Sequence, residues 1–219
     1  MILAAAVARW RIAAWPLVLA GAALLIPAVP GWAEALVYDR AAIGAGQWWR
    51  LASGNLVHFG AAHLALDVCA LLVLGAVAQV RWTAARVAGR GVPSMGRLVI
   101  ASAGAIGAVL FIAEPGLGRF GGLSGVVTAV LLAVLLEGWS CGDGHRYAWG
   151  IGLALVAFKL TAEILAGSTA LVAATDAAFE AVPLSHLAGA ATALLLCVRW
   201  RAVRPPARAA ADRIDAYAA

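Results

Sequence analysis

The most regular feature of the chain is a series of long apolar runs, separated by shorter stretches that contain proline, glycine or charge. Six runs can be drawn, at about residues 12–29, 58–80, 98–113, 122–138, 147–167 and 184–200. A run of about 18–20 apolar residues is long enough to cross a bilayer as a helix. The pattern predicts an all-α membrane protein with a six-helix domain over residues 1–203. A short basic tail over residues 204–219 is expected to be disordered and cytoplasmic.

Composition supports the membrane assignment. Of the 219 residues, 64% are hydrophobic and 12% are charged. A soluble domain has roughly 45–50% apolar and about 25% charged residues. A soluble enzyme is therefore excluded.

The net charge of +5 comes from arginines that cluster at the ends of the apolar runs. This placement is typical of topology determinants and argues against nucleic-acid binding. The arginine-rich regions are the N-terminus, the second and fourth connections and the tail. An even number of spans with both termini in the cytoplasm fits this bias. His58, Ser124 and His186 then all lie toward the external side.

The first run has a second interpretation, as a cleaved signal peptide, because Ala33-Glu34-Ala35 resembles a small-residue cleavage site. Its long apolar core and the lack of a compact basic start favour a retained helix.

Two polar residues open apolar runs and suggest chemistry. Ser124 follows Gly121 and Gly122, and His186 begins the last run. Polar side chains in hydrocarbon are costly and tend to be functional. Serine is a weak nucleophile that needs a base, and no carboxylate near His186 in the sequence resembles a third member, so a Ser-His dyad is expected. Small residues at Gly189 predict close approach of the last helix to the Gly121 and Gly125 face of the serine helix.

A second polar group lies in the second run. His63 and Asp67 are four residues apart and share a helix face, with His58 one turn above them near the membrane surface. The amides at the start of the serine helix are suited to a developing oxyanion.

These residues together resemble the rhomboid family of intramembrane serine proteases, over about residues 48–200. Phe120-Gly-Gly-Leu-Ser124-Gly-Val-Val127 is similar to the family's nucleophile motif, and Ser185-His-Leu-Ala-Gly189 to its histidine motif. Trp49-Arg50 resembles the Trp-Arg pair of the first external loop. His58, His63 and position 67 have the spacing of the family's His-x4-His-x3-Asn motif.

The resemblance implies roles for these residues. Ser124 is the expected nucleophile and His186 the general base. His63 and the Ser124 amide, beside Gly122, would belong to the oxyanion hole, and His58 would structure a water-accessible cavity. The reaction would be hydrolysis of a peptide bond in or beside the transmembrane segment of a protein substrate, without a metal or cofactor.

The sequence departs from the family at two positions. Asp67 replaces the usual asparagine; an ionised carboxylate would oppose an oxyanion, whereas a protonated one could donate a hydrogen bond or the group could orient His63. Thr128 stands where many relatives have a tyrosine under the histidine, which implies a looser histidine. The short 32–48 connection resembles the rhombosortase branch, whose substrates carry C-terminal sorting tails. A general rhomboid is the alternative, and the expected location is a bacterial inner membrane.

Three other hypotheses stay open. A metallohydrolase would use His58, His63, Asp67 and His186 as ligands, although the i, i+5 histidine spacing differs from the i, i+4 metalloprotease motif. A pseudoprotease would bind transmembrane segments without cutting them. Lys159 and Glu163 are interpreted either as a structural ion pair facing the bundle or as a latch on a gate helix. The sequence does not indicate the oligomeric state.

Overall fold

The structure is a computed structural model that describes the backbone of residues 2–141, 144–168 and 182–203, and the side chains of 14–141, 144–168 and 182–199. The predicted tail at 204–219 lies outside this part. The helices are α1 (Ile2–Leu25), α2 (Trp32–Leu36), α3 (Arg40–Gly44), α4 (Arg50–Ser53), α5 (Ala61–Val87), α6 (Met95–Ala113), α7 (Ser124–Cys141), α8 (Arg146–Ala166) and α9 (Pro183–Val203). Two short strands, β1 (Tyr38–Asp39) and β2 (Arg119–Phe120), and two 3-10 turns, Ile26–Ala28 and Gly54–Leu56, lie in the connections.

Within the described part of the chain, four helices are long and apolar enough to cross a membrane: α5, α6, α7 and α8. The apolar stretches of α1 and α9 are shorter, at Ala14–Ala28 and Pro183–Arg199. The chain is therefore a helical, multi-pass membrane protein, as the apolar runs predicted. Six spans remain a prediction, because length and composition support four.

Helix α7 occupies the centre of the bundle. It packs against α9, α5, α8 and α6. Ala129, Val130 and Ala133 on α7 are fully buried, together with Leu71 of α5 and Ile106 of α6. Helix α8 is much less buried than α7: 11% of the most apolar stretch of α8 is buried, compared with 56% for α7. It lies at the edge of the bundle with most of its side chains facing outward.

Helix α1 packs on α5 and α6 through two glycines. A β-carbon at Gly75 would lie 2.5 Å from the Pro16 ring, and one at Gly96 would lie 2.5 Å from the Trp15 indole. Ala20 and Ala23 of α1 are buried in the main core. Because Gly75 and Gly96 have no side chains, α1 can pack closely against α5 and α6.

The connection after α1 folds back onto the connection between α6 and α7. Strands β1 and β2 pair antiparallel, with Tyr38 opposite Phe120 and Asp39 opposite Arg119. Tyr38 is fully buried, and its ring meets Phe120 edge to face at 6.3 Å. Phe120 lies four residues before Ser124, so this small ladder helps to place the start of α7.

An ion cluster holds the far end of the bundle. Glu137 of α7 accepts hydrogen bonds from Arg81 of α5 at 2.8 Å and from Arg90 at 3.2 Å. The Arg81 guanidinium also lies over the Trp149 ring of α8, at 4.2 Å from its centroid. Three helices are thus tied together at the end opposite Ser124.

Candidate active site

A cavity of about 280 Å³ lies at the end of the bundle where α5, α7 and α9 begin. Its wall includes both side chains that the motifs predicted as nucleophile and base, Ser124 and His186, and two members of the second polar group, His63 and Asp67. The rest of the wall is mostly apolar: Leu66, Ala70, Phe120, Val127, Thr128, Leu131, Val156, Lys159, Glu163, Val182 and Ser185. Residues from α5, α7, α8 and α9 therefore meet in one space.

Ser124 is the first residue of α7. The preceding Gly122 has φ +133°, a conformation that L side chains rarely adopt, so the helix cannot extend back through it. A β-carbon at Gly122 would also lie 2.7 Å from Cε1 of His63. The glycine thus places the serine at a helix N-terminus, where the first amides lack intrahelical acceptors, and lets the His63 ring lie beside it.

Two glycines bring the serine helix and the histidine helix into backbone contact. A β-carbon at Gly125 would lie 2.7 Å from the carbonyl oxygen of Ser185, and one at Gly189 would overlap the carbonyl of Gly125. These contacts flank Ser124 and His186 in the sequence, so the two side chains enter the cavity from adjacent backbones. Within the described residues, no hydrogen bond joins Ser124 Oγ to His186. Catalytic contacts of this kind often tighten only when substrate binds.

Gly121 does not have the role expected from the sequence. It precedes α7, and a β-carbon there would lie 2.5 Å from the carbonyl oxygen of Val57 and 3.2 Å from the Phe59 ring. Its contact is therefore with the segment before α5, rather than with α9. The reason is local: the helix begins at Ser124, so residue 121 is not on a helix face.

His186 is held by a carboxylate that the motif analysis did not associate with it. Its Nδ1 lies 2.7 Å from Oε2 of Glu163 on α8. The other oxygen of Glu163 accepts a hydrogen bond from Lys159 Nζ at 2.7 Å. The i, i+4 pairing of Lys159 with Glu163 is thus present, and it is extended to the histidine of α9. The signal in the sequence was the cost of two charges within an apolar run.

Asp67 forms the centre of the second polar group. Its Oδ2 lies 3.0 Å from His58 Nε2 and 3.2 Å from His63 Nε2. The two imidazole rings meet edge to face, 5.0 Å apart. His58 Nδ1 faces the Leu56 carbonyl at 3.3 Å, and the Leu123 amide points at His58 Nε2 at 3.4 Å. This group therefore connects the start of α5 to the residue before Ser124.

The contacts of His58 show how Asp67 is held. Because a carbonyl can only accept, the contact with Leu56 is a hydrogen bond when Nδ1 is the protonated nitrogen of the ring. Asp67 Oδ2 lies within hydrogen-bond distance of Nε2 of both imidazoles. The carboxyl group therefore does not face the cavity without partners.

The same three residues were also candidates for a metal site. Their ligand atoms lie within 4.8 Å of one another, close enough to surround a cation. One carboxylate oxygen, however, already contacts both imidazoles. His186, the fourth ligand of that hypothesis, has its Nδ1 on Glu163. The geometry therefore accounts for these residues through mutual hydrogen bonds.

Thr128 directs its hydroxyl to its own helix. Its Oγ1 donates to the Ser124 carbonyl at 2.8 Å. The His186 ring has its side-chain contact with Glu163. A histidine that is looser because of Thr128 stays a prediction.

Trp49 and Arg50 lie outside the cavity and hold together the connection between α1 and α5. The Arg50 guanidinium donates to Gln47 Oε1 at 2.7 Å, to the Glu34 carbonyl at 2.7 Å and to the Val37 carbonyl at 2.9 Å. Trp49 Nε1 donates to the Ala35 carbonyl at 3.2 Å. This pair fixes the segment that leads into β1.

Asn55 was not singled out in the sequence. It is buried, and its Nδ2 donates to the Ala103 carbonyl of α6 at 3.1 Å and to the Ala52 carbonyl at 3.0 Å. A buried amide in a loop joins the loop to the helix behind it, and nothing in its sequence context indicates the partner.

The sequence matches a known protein family. No individually curated protein matches the sequence significantly. The rhomboid domain matches residues 45–201, a range that begins just before the Trp49-Arg50 pair and extends beyond the His186 helix. Since the match covers well over half of the sequence and contains the whole cavity, the chain belongs to the rhomboid family, whose members are generally intramembrane serine proteases.

Proposed function

We propose that the chain is an intramembrane serine protease in which Ser124 is the nucleophile and His186 the general base. The observation that carries this proposal is the backbone contact of Gly125 with Ser185 and Gly189, which brings the two side chains to one cavity. A hydroxyl at a helix N-terminus beside an imidazole is the arrangement that acyl transfer requires.

The reaction follows from these groups. The Ser124 Oγ–H bond breaks, its proton moves to His186 Nε2, and Oγ bonds to the scissile carbonyl carbon. The carbonyl oxygen takes the electron pair, and the Ser124 amide stabilises it. Collapse of this intermediate restores the carbonyl, breaks the C–N bond and passes the proton from Nε2 to the leaving nitrogen. A water molecule then hydrolyses the acyl-enzyme by the same route.

The proposed substrates are membrane-anchored proteins cut in or beside a transmembrane segment. The cavity wall is mostly apolar, with Leu66 of α5 and Val156 of α8 on it, and such a wall fits an apolar peptide better than a soluble polar one. We include C-terminal sorting-tail proteins among these substrates, as for the rhombosortase branch. The support for that branch is the short connection at residues 32–48.

The proposed topology has six spans, both termini in the cytoplasm and the cavity toward the external side of a bacterial inner membrane. Its support is the distribution of arginines. Arg81, Arg86 and Arg90 lie at the end of α5 and just beyond it, on the side away from Ser124.

The test is cleavage and active-site labelling of purified protein in detergent or liposomes. We expect the wild type to cleave a membrane-anchored reporter and to react with a fluorophosphonate probe. Ser124→Ala should do neither, and His186→Ala should lose at least about 10²-fold in rate. Wild-type protein that is folded but neither cuts nor labels would favour a non-cutting binding protein. Activity abolished by a chelator, with no response to the probe, would favour the metal hypothesis.

A further inference from the structure

The geometry points to Glu163 as a positioning residue for His186, which completes a serine–histidine–glutamate arrangement across α7, α9 and α8. This inference rests on the proposed function. It concerns a residue that lies outside the serine and histidine motifs and was interpreted from sequence as part of an ion pair.

The first support is the contact itself. Glu163 Oε2 lies 2.7 Å from His186 Nδ1, a short distance for a nitrogen–oxygen hydrogen bond. Both residues are almost fully buried, with 3% of Glu163 and 6% of His186 exposed. A charged group so deeply buried requires strong partners, and here they are the imidazole and Lys159.

The second support is the burial of Glu163 on a helix whose other side chains are mostly exposed. On α8, all of whose residues are described, the buried positions are Val156 and Glu163. Phe158 and Leu165 of the same helix are exposed, at 72% and 83%. An ion pair kept only for solubility would face solvent. Glu163 lies in the last turn of α8 but is buried, and its carboxylate points at the proposed base.

The direction of the hydrogen bond follows from the groups present. A carboxylate accepts, so Nδ1 of His186 donates and carries the proton. Neutral imidazole then has its lone pair on Nε2, the nitrogen that the proposed reaction needs as base. When Nε2 takes the serine proton, the carboxylate also stabilises the imidazolium, as the aspartate does in the serine protease triad.

Lys159 completes the arrangement by holding the carboxylate. Its Nζ donates to Oε1 of Glu163 at 2.7 Å and lies 3.2 Å from His186 Nδ1. Since Nδ1 already donates to Oε2, the lysine contact with the ring is not a hydrogen bond. Lys159 therefore fixes one carboxylate oxygen and leaves the other for the histidine.

The experiment measures fluorophosphonate labelling of Ser124 in the full chain, with the maximal rate separated from the probe affinity. We expect Glu163→Ala to lower the maximal rate on the order of 10²-fold while probe affinity stays within about 2-fold. Glu163→Gln keeps an acceptor without charge and should lose roughly 10-fold. Glu163→Asp should label faster than Glu163→Ala, because it restores the charge.

Glu137 provides the matched control. It is also a buried helical glutamate paired with cations, but it lies at the far end of the bundle. Glu137→Ala should lower thermal stability while the rate per folded molecule stays near that of the wild type. If Glu163→Ala does not fold, Glu163→Gln decides: a wild-type rate in that variant would contradict the inference.

A second readout reports on the ring directly. Nitrogen-15 NMR of labelled histidine, with His186→Ala for assignment, should show neutral His186 protonated on Nδ1 in the wild type, and a loss of this preference in Glu163→Ala. Protonation on Nε2 in the wild type would contradict the inference. Failure of the wild type to label contradicts the proposed function instead, whereas equal labelling of wild type and Glu163→Ala contradicts the role of Glu163 alone.

Discussion

The α-carbon of Gly189 lies directly against the carbonyl oxygen of Gly125, so that no side chain fits between the two helices at this point. The residue before Gly125 is Ser124, and His186 lies one turn before Gly189. The distance between the proposed nucleophile and its base is therefore set by backbone contact, which is stiffer than a contact through flexible side chains.

Gly189→Ala should reduce activity strongly, because the new methyl group must push α9 away from α7. Overpacking of this kind costs about 1–3 kcal/mol, and it displaces His186 as well. We expect probe labelling of Ser124 to fall at least about 10-fold while circular dichroism stays helical. Gly104→Ala in α6 is the control, since a β-carbon there would meet nothing within 4 Å. Equal labelling of the two variants would show that the close approach does not set the site.

Asp67→Asn should retain activity within about 10-fold. An asparagine Nδ2 can donate to His58 Nε2, so the contact is kept, and a neutral hydrogen bond is worth only about 1 kcal/mol less than one to a charged group. Asp67→Ala removes both histidine contacts and should lose on the order of 10²-fold. Cleavage rates of the two variants, measured on equal amounts of folded protein, check this. An inactive asparagine variant would mean that the carboxylate itself is required.

Arg50→Lys should destabilise the protein by about 1–3 kcal/mol. One ammonium cannot reach the three acceptors that the guanidinium fork contacts, and bonds from charged groups are worth roughly 1.5–3 kcal/mol each. Thermal unfolding in detergent measures the change. The control is Arg119→Lys, whose partner Glu34 is largely exposed, so a loss of about 0–1 kcal/mol is expected. Similar losses of stability in both variants would show that the hydrogen bonds of Arg50 contribute no more than the exposed Arg119–Glu34 pair.

Lys159→Ala should lower thermal stability more than the double change Lys159→Ala/Glu163→Ala. The single change leaves a buried carboxylate without its cation, which costs more than replacing both members by apolar groups. Unfolding temperatures of wild type, both single variants and the double variant give the coupling between the two residues. Additive effects would show that the pair contributes no stability of its own. Activity is not expected to return in the double variant, because Glu163 is absent from it.

The apolar runs predicted the ends of α6 to α9 within about three residues, whereas α1 begins ten residues before the first run and α5 ends seven residues after the second. Two of the displaced helix starts have local causes. The fourth run was drawn from residue 122, but α7 begins at Ser124 because Gly122 has a positive φ. The second run was drawn from residue 58, but α5 begins at Ala61 because Gly60 is extended, with φ −144° and ψ 144°. Hydropathy does not report such backbone conformations. The short helices α2, α3 and α4 were missed for a related reason, since their connection lacks a long apolar pattern.

The site was predictable where its residues lie in short motifs. Ser124, His63, Asp67 and His186 all line one cavity. Glu163 was not predicted as a partner of His186, because its i, i+4 lysine already explained its presence in an apolar run. The contact joins residues 23 positions apart on two different helices, and spacing along one helix carries no information about it. The bonds of Glu137 to Arg81 and Arg90 could not be predicted either, because they also join different parts of the chain.

Helix α8 is mostly exposed at the edge of the bundle, but it carries a short hydrogen bond to His186. Among the described helices that are long and apolar enough to cross a membrane it is the least buried, yet it carries the carboxylate that contacts the imidazole. Any outward swing of α8 that takes Glu163 from His186 also releases the ring from its working orientation. Under the proposed mechanism, the reactivity of Ser124 is thus coupled to the position of this helix, because a displaced α8 leaves the serine without an oriented base.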